Sequence, residues 1–326
     1  MSYHPLYRIR IVLGLLVFWL IGCISNRFSF QTLSGVGITQ IPISETINNV
    51  FSPILNSNNS KLAFVGQIGE SNTNIYVLDL MTGIVTTELP IHAYYPLSDA
   101  RWSPDDTKIS FSGFNPLQPN IGIWILDGIS NTETVSATFG TAAWSPDGSK
   151  LAVTGYIDGK DEIRIIDLTT KKSESIYTLL TTNSQDTISG ADWSPDGSTL
   201  AFIMTERISD EDVQHLYRID VNGSNLHVFT NTPTGQFINY FKWILQGKWI
   251  AFVAGKGSIY SKLSFIRADD QCMISPLTEL NNNDVLDMDI SRDGTIAVVR
   301  VGVNLYKLDI NAMLAPKSLE GALTCP

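Results

Sequence analysis

The sequence predicts an all-β fold, a six-bladed β-propeller with four antiparallel strands per blade that is closed by an N-terminal strand. Two observations support this prediction. A tight turn preceded by a large apolar residue recurs six times along the 326 residues, at spacings of 42 to 51 residues. Each copy is followed by runs of alternating β-branched and aromatic residues, which are typical of strands. Spacing this irregular favours propeller blades, whose loops tolerate insertions, over a solenoid with fixed rungs.

The clearest copies of the turn read Trp-Ser-Pro-Asp-Gly-Ser, at residues 144–149 and 193–198. Proline fixes φ at about −65°, the Asp side chain bonds to nearby backbone amides, and Gly accepts the positive φ that closes the turn. The turn therefore joins the innermost strand of a blade to its second strand. We expect the tryptophans at these positions to pack between neighbouring blades. The six copies begin near Phe51, Trp102, Trp144, Trp193, Trp243 and Ile290.

The remaining strands follow in each copy. A third strand, such as residues 74–80, ends in an Asp-containing turn, and a fourth, such as residues 86–90, completes the blade. Residues 37–42 have the phase of an outer strand. We expect them to supply the outer strand of the last blade, because an open sheet would leave unpaired edges. The propeller then spans residues 37–326, with residues 311–326 as a tail packed outside it.

In these turns, and in the Leu-Ala-Phe and Ile-Tyr-Val-x-Asp patterns of the strands, the chain resembles the TolB-type propeller family from about residue 51 to residue 310. Copies three and four match closely. Copies five and six depart from the pattern, because Gln246 and Gly247 replace Asp-Gly and Arg292 replaces Pro. The resemblance implies the propeller fold and interaction within an envelope complex.

The first 22 residues have the form of an export signal. Arg8 and Arg10 precede an apolar run, residues 11–22, which is shorter than the roughly 20 residues needed to cross a bilayer. The sequence Leu-Ile-Gly-Cys that ends at Cys23 resembles the lipobox of bacterial lipoproteins. We therefore expect cleavage before Cys23, acylation of its thiol, a tether over residues 23–36, and a chain anchored at the periplasmic or extracellular face of a membrane. An uncleaved signal anchor and a plain cleaved signal peptide are the alternatives.

Composition and motifs exclude several classes of function. The formal net charge of −10 gives no basic footprint for nucleic acid. Four His and three Cys residues lack metal-ligand spacing, and no nucleophile elbow, phosphate loop or dinucleotide fingerprint occurs. We therefore predict a monomeric, non-enzymatic scaffold, without cofactor or metal, that binds an envelope protein or a periplasmic or extracellular ligand. The alternative is a carbohydrate-active lyase or hydrolase with its site at the mouth of the propeller channel.

The residue before each copy of the turn is expected to lie beside the central channel, and in three successive blades this residue is charged. Asp192, Lys242 and Asp289 would form a ladder of ion pairs, which satisfies charges that burial would otherwise penalise. A catalytic carboxylate pair is the alternative. Lys242 argues against it, because a cation between two acids keeps both ionised instead of raising one pKa.

The loops that enter the innermost strands are expected to share one rim of the propeller. Aromatic residues in polar loops favour either a binding surface or packing between blades. The aromatic candidates of this kind are Tyr94, Tyr95, Phe237 and Tyr240.

Two cysteines are candidates for a disulfide. Cys272 lies in a predicted turn of the fifth blade, and Cys325 lies in the tail. An exported location would permit them to pair, and two free thiols are the alternative.

Overall fold

Six four-stranded antiparallel sheets form a six-bladed β-propeller in a computed structural model of the protein. The chain divides after Gln31 into two units, and the propeller belongs to the second, Thr32–Pro326. The first strand of each blade is the innermost, since it contacts the first strands of the two neighbouring blades. The structure describes residues 33–44, 46–69, 72–87, 95–115, 120–127, 132–136, 140–181, 183, 185–230, 237–255, 262–269, 272–275, 277 and 285–323.

The strand bounds follow the predicted order of four strands per blade. The strands are β1 (Ile38–Ile41) before the first blade; β2 (Asn49–Leu55), β3 (Lys61–Ile68), β4 (Asn72–Asp79) and β5 (Val85–Thr87) in blade 1; β6 (Tyr95–Trp102), β7 (Lys108–Asn115), β8 (Asn120–Asp127) and β9 (Thr132–Ser136) in blade 2; β10 (Gly140–Trp144), β11 (Lys150–Ile157), β12 (Lys160–Asp167) and β13 (Ser173–Thr178) in blade 3; β14 (Thr187–Trp193), β15 (Thr199–Ile208), β16 (Glu211–Asp220) and β17 (His227–Val228) in blade 4; β18 (Phe237–Ile244), β19 (Trp249–Gly255), β20 (Lys262–Arg267) and β21 (Met273–Ile274) in blade 5; and β22 (Val285–Ile290), β23 (Ile296–Val301) and β24 (Asn304–Asp309) in blade 6. A single 3-10 turn, Leu245–Gly247, follows β18.

An N-terminal strand completes the last blade, as predicted. The strand β1 pairs antiparallel with β24, so the sheet of blade 6 has the order β1-β24-β23-β22. Ile38 lies opposite Leu308, and Ile41 lies opposite Leu305. Two segments from distant parts of the sequence therefore share one sheet.

The antiparallel strands place the connections of each blade alternately on two faces of the propeller. We call the turn face the side that carries the connections between first and second strands, such as residues 145–149, and between third and fourth strands. We call the hairpin face the opposite side. It carries the hairpins between second and third strands, such as residues 158–159, and the loops that lead from one blade to the next.

The segment after β24 folds into two short helices, α1 (Ile310–Leu314) and α2 (Leu319–Ala322). Asp309 caps α1 by accepting a hydrogen bond from Ala312 N at 2.9 Å. Ile310, Leu319 and Leu323 are buried in an apolar cluster that includes residues of blades 5 and 6. The segment is therefore packed onto the turn face. Within the described ranges, no helix has the length and the apolar character to cross a bilayer.

Short hydrogen bonds hold the repeated turn, as blade 3 illustrates. Ser145 Oγ donates to Asp147 Oδ1 at 2.6 Å, and Lys150 N donates to Ser145 Oγ at 2.9 Å. The bonds from Ser145 and from Ser149 lower the pKa of Asp147 to about 2. Gly148 has a φ of 72°, a conformation that glycine adopts without strain. The turn is thus closed by its own residues, which is why the same sequence serves in several blades.

The turns also lie against one another around the channel. The glycine of one turn lies beside the proline of the turn in the preceding blade. Built onto Gly148, a Cβ would be 3.6 Å from Pro104 Cδ, and built onto Gly197 it would be 3.7 Å from Pro146 Cδ. The repeated spacing of Pro and Gly therefore serves contacts between blades as well as the local turn.

Tryptophans at the ends of the innermost strands join neighbouring blades. In three blades the indole Nε1 donates to a backbone carbonyl of the preceding innermost strand: Trp102 to Ile54 O at 3.2 Å, Trp144 to Arg101 O at 3.3 Å and Trp193 to Ala143 O at 3.0 Å. Trp243 is as buried as Trp193, but its Nε1 has no hydrogen-bond partner in the part of the chain that the structure describes. All four rings pack in or against apolar clusters.

The difference between Trp193 and Trp243 gives a matched test of this contact. Both side chains are 3% exposed, so Trp193→Phe and Trp243→Phe remove similar buried apolar area. Only Trp193→Phe removes an indole hydrogen bond, the one donated to Ala143 O. We expect Trp193→Phe to lower the free energy of unfolding by about 1 kcal/mol more than Trp243→Phe does, as measured by urea denaturation. Equal losses would contradict a stabilising role for the indole hydrogen bond.

Candidate functional site

A cavity of about 640 Å³ opens at the turn-face end of the central channel, and all six blades contribute to it. The prolines of three repeated turns, Pro104, Pro146 and Pro195, line it together with the tryptophans that precede them. Charged residues of the innermost strands and turns line it as well: Arg101, Asp192, Lys242 and Arg292. The cavity therefore combines apolar rings with charged groups.

The first charged cluster is centred on Asp289, which is fully buried. Lys242 Nζ lies 2.8 Å from Asp289 Oδ1, and Tyr240 Oη donates to the same oxygen at 2.6 Å. Leu55 N, from blade 1, donates to Asp289 Oδ2 at 2.8 Å. Burial lowers the pKa of Lys242, and burial followed by the charge of Asp289 raises that of Tyr240. The Asp289 carboxylate thus accepts hydrogen bonds from blades 1 and 5.

The second cluster joins blades 4, 5 and 6. Arg292 binds both oxygens of Asp192 with its two Nη atoms, each at 2.8 Å. Arg292 Nη1 also donates to Trp243 O at 3.0 Å, and Trp243 N donates to Asp192 Oδ2 at 2.7 Å. Burial opposes the charge on the guanidinium, but Asp192 raises the pKa of Arg292. Arg292 therefore spans blade 5 to reach an acid two blades away.

The third cluster joins blades 2 and 3. Arg101 Nη2 lies 3.0 Å from Asp99 Oδ1, and Ala142 N donates to Asp99 Oδ2 at 3.2 Å. The Asp99 carboxylate thus contacts both blades, and Asp99 itself has a φ of 53°. The three clusters contain three acids and three cations, so together they are electrically balanced.

The sequence predicted one of these contacts and differs from the structure in another. Lys242 and Asp289 are in direct contact, as the ladder required. The ladder also required a contact of Lys242 with Asp192, whereas in the structure Asp192 forms its ion pair with Arg292. The planar guanidinium binds both carboxylate oxygens at once, which a lysine ammonium does not do. The ladder is thus divided into two ion pairs, and each carboxylate lies against its own cation.

Arg292 and Asp99 are the residues of the channel that sequence reasoning did not assign. Arg292 stands where the repeat has proline, and this departure from the pattern was the available signal. Asp99 lies two residues before Arg101, where the register with the next strand is irregular between Ser98 and Arg101. A charged pair at this spacing is the signal for the third cluster.

The four aromatic residues predicted to lie in the rim loops differ in where the structure places them. Tyr240 lies in the channel, in the cluster of Asp289. Phe237 begins β18 and is half-buried. Tyr94 and the side chain of Tyr95 lie outside the described residues. A role for these residues in binding stays a prediction.

The cysteines are only partly described. Cys272 is disulfide-bonded. Its pairing with Cys325 stays a prediction, because Cys325 and Cys23 lie outside the described residues. No group of three or more His, Cys, Asp or Glu side chains that could hold a metal ion occurs among the residues that the structure describes.

Comparisons with known proteins agree with the propeller fold. The model of the TolB beta propeller domain family matches residues 91–285. No curated protein matches the chain. Among solved structures, an oligogalacturonate lyase in complex with manganese has a TM-score of 0.57 and 18% identity over 81% of this chain and 74% of its own. TolB from Acinetobacter baumannii has a TM-score of 0.57 and 20% identity over 78% of this chain and 64% of its own.

A second lyase has the same fold. Oligogalacturonate lyase from Vibrio parahaemolyticus has a TM-score of 0.57 and 16% identity over 85% of this chain and 79% of its own. The chain spans less than two thirds of the length of the Acinetobacter TolB. At these identities the likeness to solved structures concerns the fold alone.

Asp289 gives a test of the channel ion pairs. Asp289→Asn leaves Lys242, which is 13% exposed, without its counter-charge. We expect a loss of about 3–5 kcal/mol in the free energy of unfolding. The loss should shrink as the pH rises toward the unfolded lysine pKa of about 10, because a buried lysine with a lowered pKa penalises folding only while it is protonated. The measurement is urea denaturation across a pH series.

Asp269→Asn is the matched control for this test. Asp269 pairs with Arg267 at the surface, where its side chain is 75% exposed. Such a pair contributes about 0–1 kcal/mol. Similar losses for the two variants, or a loss at Asp289 that does not change with pH, would contradict a buried ion pair in the channel.

Proposed function

Because this chain belongs to the TolB β-propeller domain family, we propose that it is a non-enzymatic binding scaffold of the bacterial cell envelope. In this proposal a lipid on Cys23 holds it at the membrane, and the hairpin face docks a protein partner. The observation that carries the proposal is the position at which the chain enters the propeller. Gly37 O accepts a hydrogen bond from Asp309 N at 2.7 Å, at the turn-face end of β1 and β24.

The direction of β1 separates the two faces. The predicted tether, residues 23–36, leads into the strand on the turn face, where α1 and α2 also pack. A lipid at the start of this tether favours an orientation with the turn face toward the membrane. The hairpin face then points away from the membrane and is accessible to other proteins of the envelope.

The hairpin face exposes apolar side chains that support a docking role. Single exposed apolar residues are ordinary, but their repetition at one level of a fold is typical of an interaction surface. Five blades carry such a residue at or beside the hairpin between the second and third strands: Ile68 at 40% exposure, Ile121 at 39%, Tyr156 at 61%, Ile208 at 52% and Val303 at 50%.

The electrostatics of the channel support a binding role over a catalytic one. Asp192 and Asp289 each lie against a cation, at 2.8 Å. Arg292 binds both oxygens of Asp192, and the fully buried Asp289 already accepts three hydrogen bonds, so both carboxylates are engaged within the propeller. We therefore assign these side chains to the stability of the propeller.

The anchor is tested by acylation in cells. We expect the native chain to incorporate a fatty-acid analogue and to sediment with membranes, whereas Cys23→Ala abolishes the label because it removes the thiol that is acylated. Cys272→Ala serves as the control, since it removes a cysteine of the propeller and should leave the label unchanged. Full labelling of Cys23→Ala would contradict the lipid anchor.

The docking face is tested by photo-crosslinking in intact cells. A photoreactive residue replaces Val303 on the hairpin face or, as the control, Met81 on the turn face, which is 91% exposed. We expect position 303 to form a covalent adduct with an envelope protein and position 81 to form none, because position 81 faces the membrane side. Adducts at position 81 alone, or at neither position, would overturn the proposal.

A further inference from the structure

One part of the hairpin face joins blades 3 and 4 into a single surface. The loop between these blades lies between their hairpins. Leu179 N donates to Asp161 O of blade 3 at 2.8 Å, and Asn183 Nδ2 donates to Arg207 O of blade 4 at 3.4 Å. Arg207 N donates to Asp186 Oδ1 of the loop at 2.8 Å. Both hairpins are thus tied to the loop, and the three segments present one continuous surface.

Three large apolar side chains are exposed on this surface. Leu180 is 89% exposed, Tyr156 is 61% exposed and Ile208 is 52% exposed. Tyr156 is the cross-strand partner of Asp161, and Leu180 follows the residue that bonds to Asp161, so these two side chains flank one position of the hairpin. Clustered exposed apolar groups of this kind mark contact sites.

The same surface concentrates negative charge. Its three segments, residues 156–164, 179–188 without 182 and 184, and 206–212, contain eight carboxylates against three cations, a surplus of five negative charges out of the net −10 of the chain. One of the eight, Glu162, is buried. The carboxylates are Asp158, Asp161, Glu162, Asp186, Glu206, Asp210, Glu211 and Asp212. The cations are Lys160, Arg164 and Arg207.

Two of the three cations are already engaged within the surface. Arg164 binds Asp158 at 3.0 Å and Glu162 at 2.8 Å, and Arg207 binds Asp212 at 2.8 Å. Most of the surplus therefore rests on the other carboxylates. Asp210 and Glu211, at the tip of the hairpin in blade 4, are exposed. We call the surface formed by these three segments the acidic patch.

We propose that the acidic patch docks a protein segment in which cationic and apolar side chains alternate. Lys or Arg residues of such a segment would meet the surplus carboxylates, and its apolar residues would cover Leu180, Tyr156 and Ile208. The charge selects this occupant. A second copy of the patch or an anionic lipid surface would bring like charges together. The inference rests on the proposed function, since it assigns the partner chemistry to the hairpin face.

Binding of synthetic peptides to the full chain in detergent tests the proposal. The probes are a fluorescent peptide with equal numbers of Lys and Leu in a Gly-Ser background, and a second peptide in which Ser replaces every Leu. We expect the Lys-Leu peptide to bind more tightly than the Lys-Ser peptide by about tenfold, as measured by fluorescence anisotropy. Its affinity should fall as salt rises, because exposed charge pairs are screened.

Variants of the patch complete the test. Leu180→Ser, and separately Asp210→Lys combined with Glu211→Lys, should each weaken binding of the Lys-Leu peptide by about tenfold. These side chains are exposed, so the variants should keep the native thermal unfolding curve. Met81→Ser on the turn face is the matched control and should leave binding unchanged.

The outcomes separate this inference from the proposed function. Equal affinity of the native chain and both patch variants overturns the acidic patch as the docking site, as does an equal preference for the two peptides. If position 303 still crosslinks an envelope protein in that case, the proposed function stands without the patch. If position 303 yields no protein adduct either, both fail.

Discussion

The contact between each innermost strand and the next is the constraint on which the rest of the propeller depends. Through the first four blades an indole hydrogen bond from one blade to the preceding carbonyl supplies part of this contact. Around blades 5 and 6 the arrangement changes. Trp243 has no acceptor in the described part of the chain, and Ile290 replaces the tryptophan of blade 6. There the charged groups of Asp192, Asp289 and Arg292 connect the blades instead.

This exchange gives a physical reason for the degenerate copies of the repeat. Arg292 occupies a proline position, and its guanidinium donates to Trp243 O, the kind of acceptor that an indole uses elsewhere. Asp289 accepts from Leu55 N and so connects the last blade to the first. Buried ion pairs carry a large desolvation cost and are often no more stabilising than apolar packing. Their short, directional contacts do, however, require the ends of particular innermost strands to lie together, in blades 4 to 6 and in blade 1.

The sequence predicts the fold well because the repeated turn is determined locally. Ser145, Asp147 and Gly148 close the turn among themselves, so the pattern can be recognised without knowledge of tertiary contacts. The same holds for the closing strand β1, whose phase follows the other outer strands. The channel site is less predictable. Asp192 and Arg292 are 100 residues apart in sequence, and the choice of Arg292 over Lys242 depends on side-chain geometry across a blade. The acidic patch likewise depends on three segments that only the ring brings together.

The pairing of β1 with β24 has a consequence for how the molecule is made. Gln40 Nε2 and Asn304 Oδ1, which meet at 3.2 Å, are separated by 264 residues. Pairing between segments so far apart in sequence must close a long loop, and non-local pairing of this kind is slow to form. Within the propeller, the first strand along the chain therefore pairs only after the last strand, β24, has been made. Until β24 is present, the sheet of blade 6 is incomplete, and a chain that ends before residue 304 would leave β1 without its pairing strand.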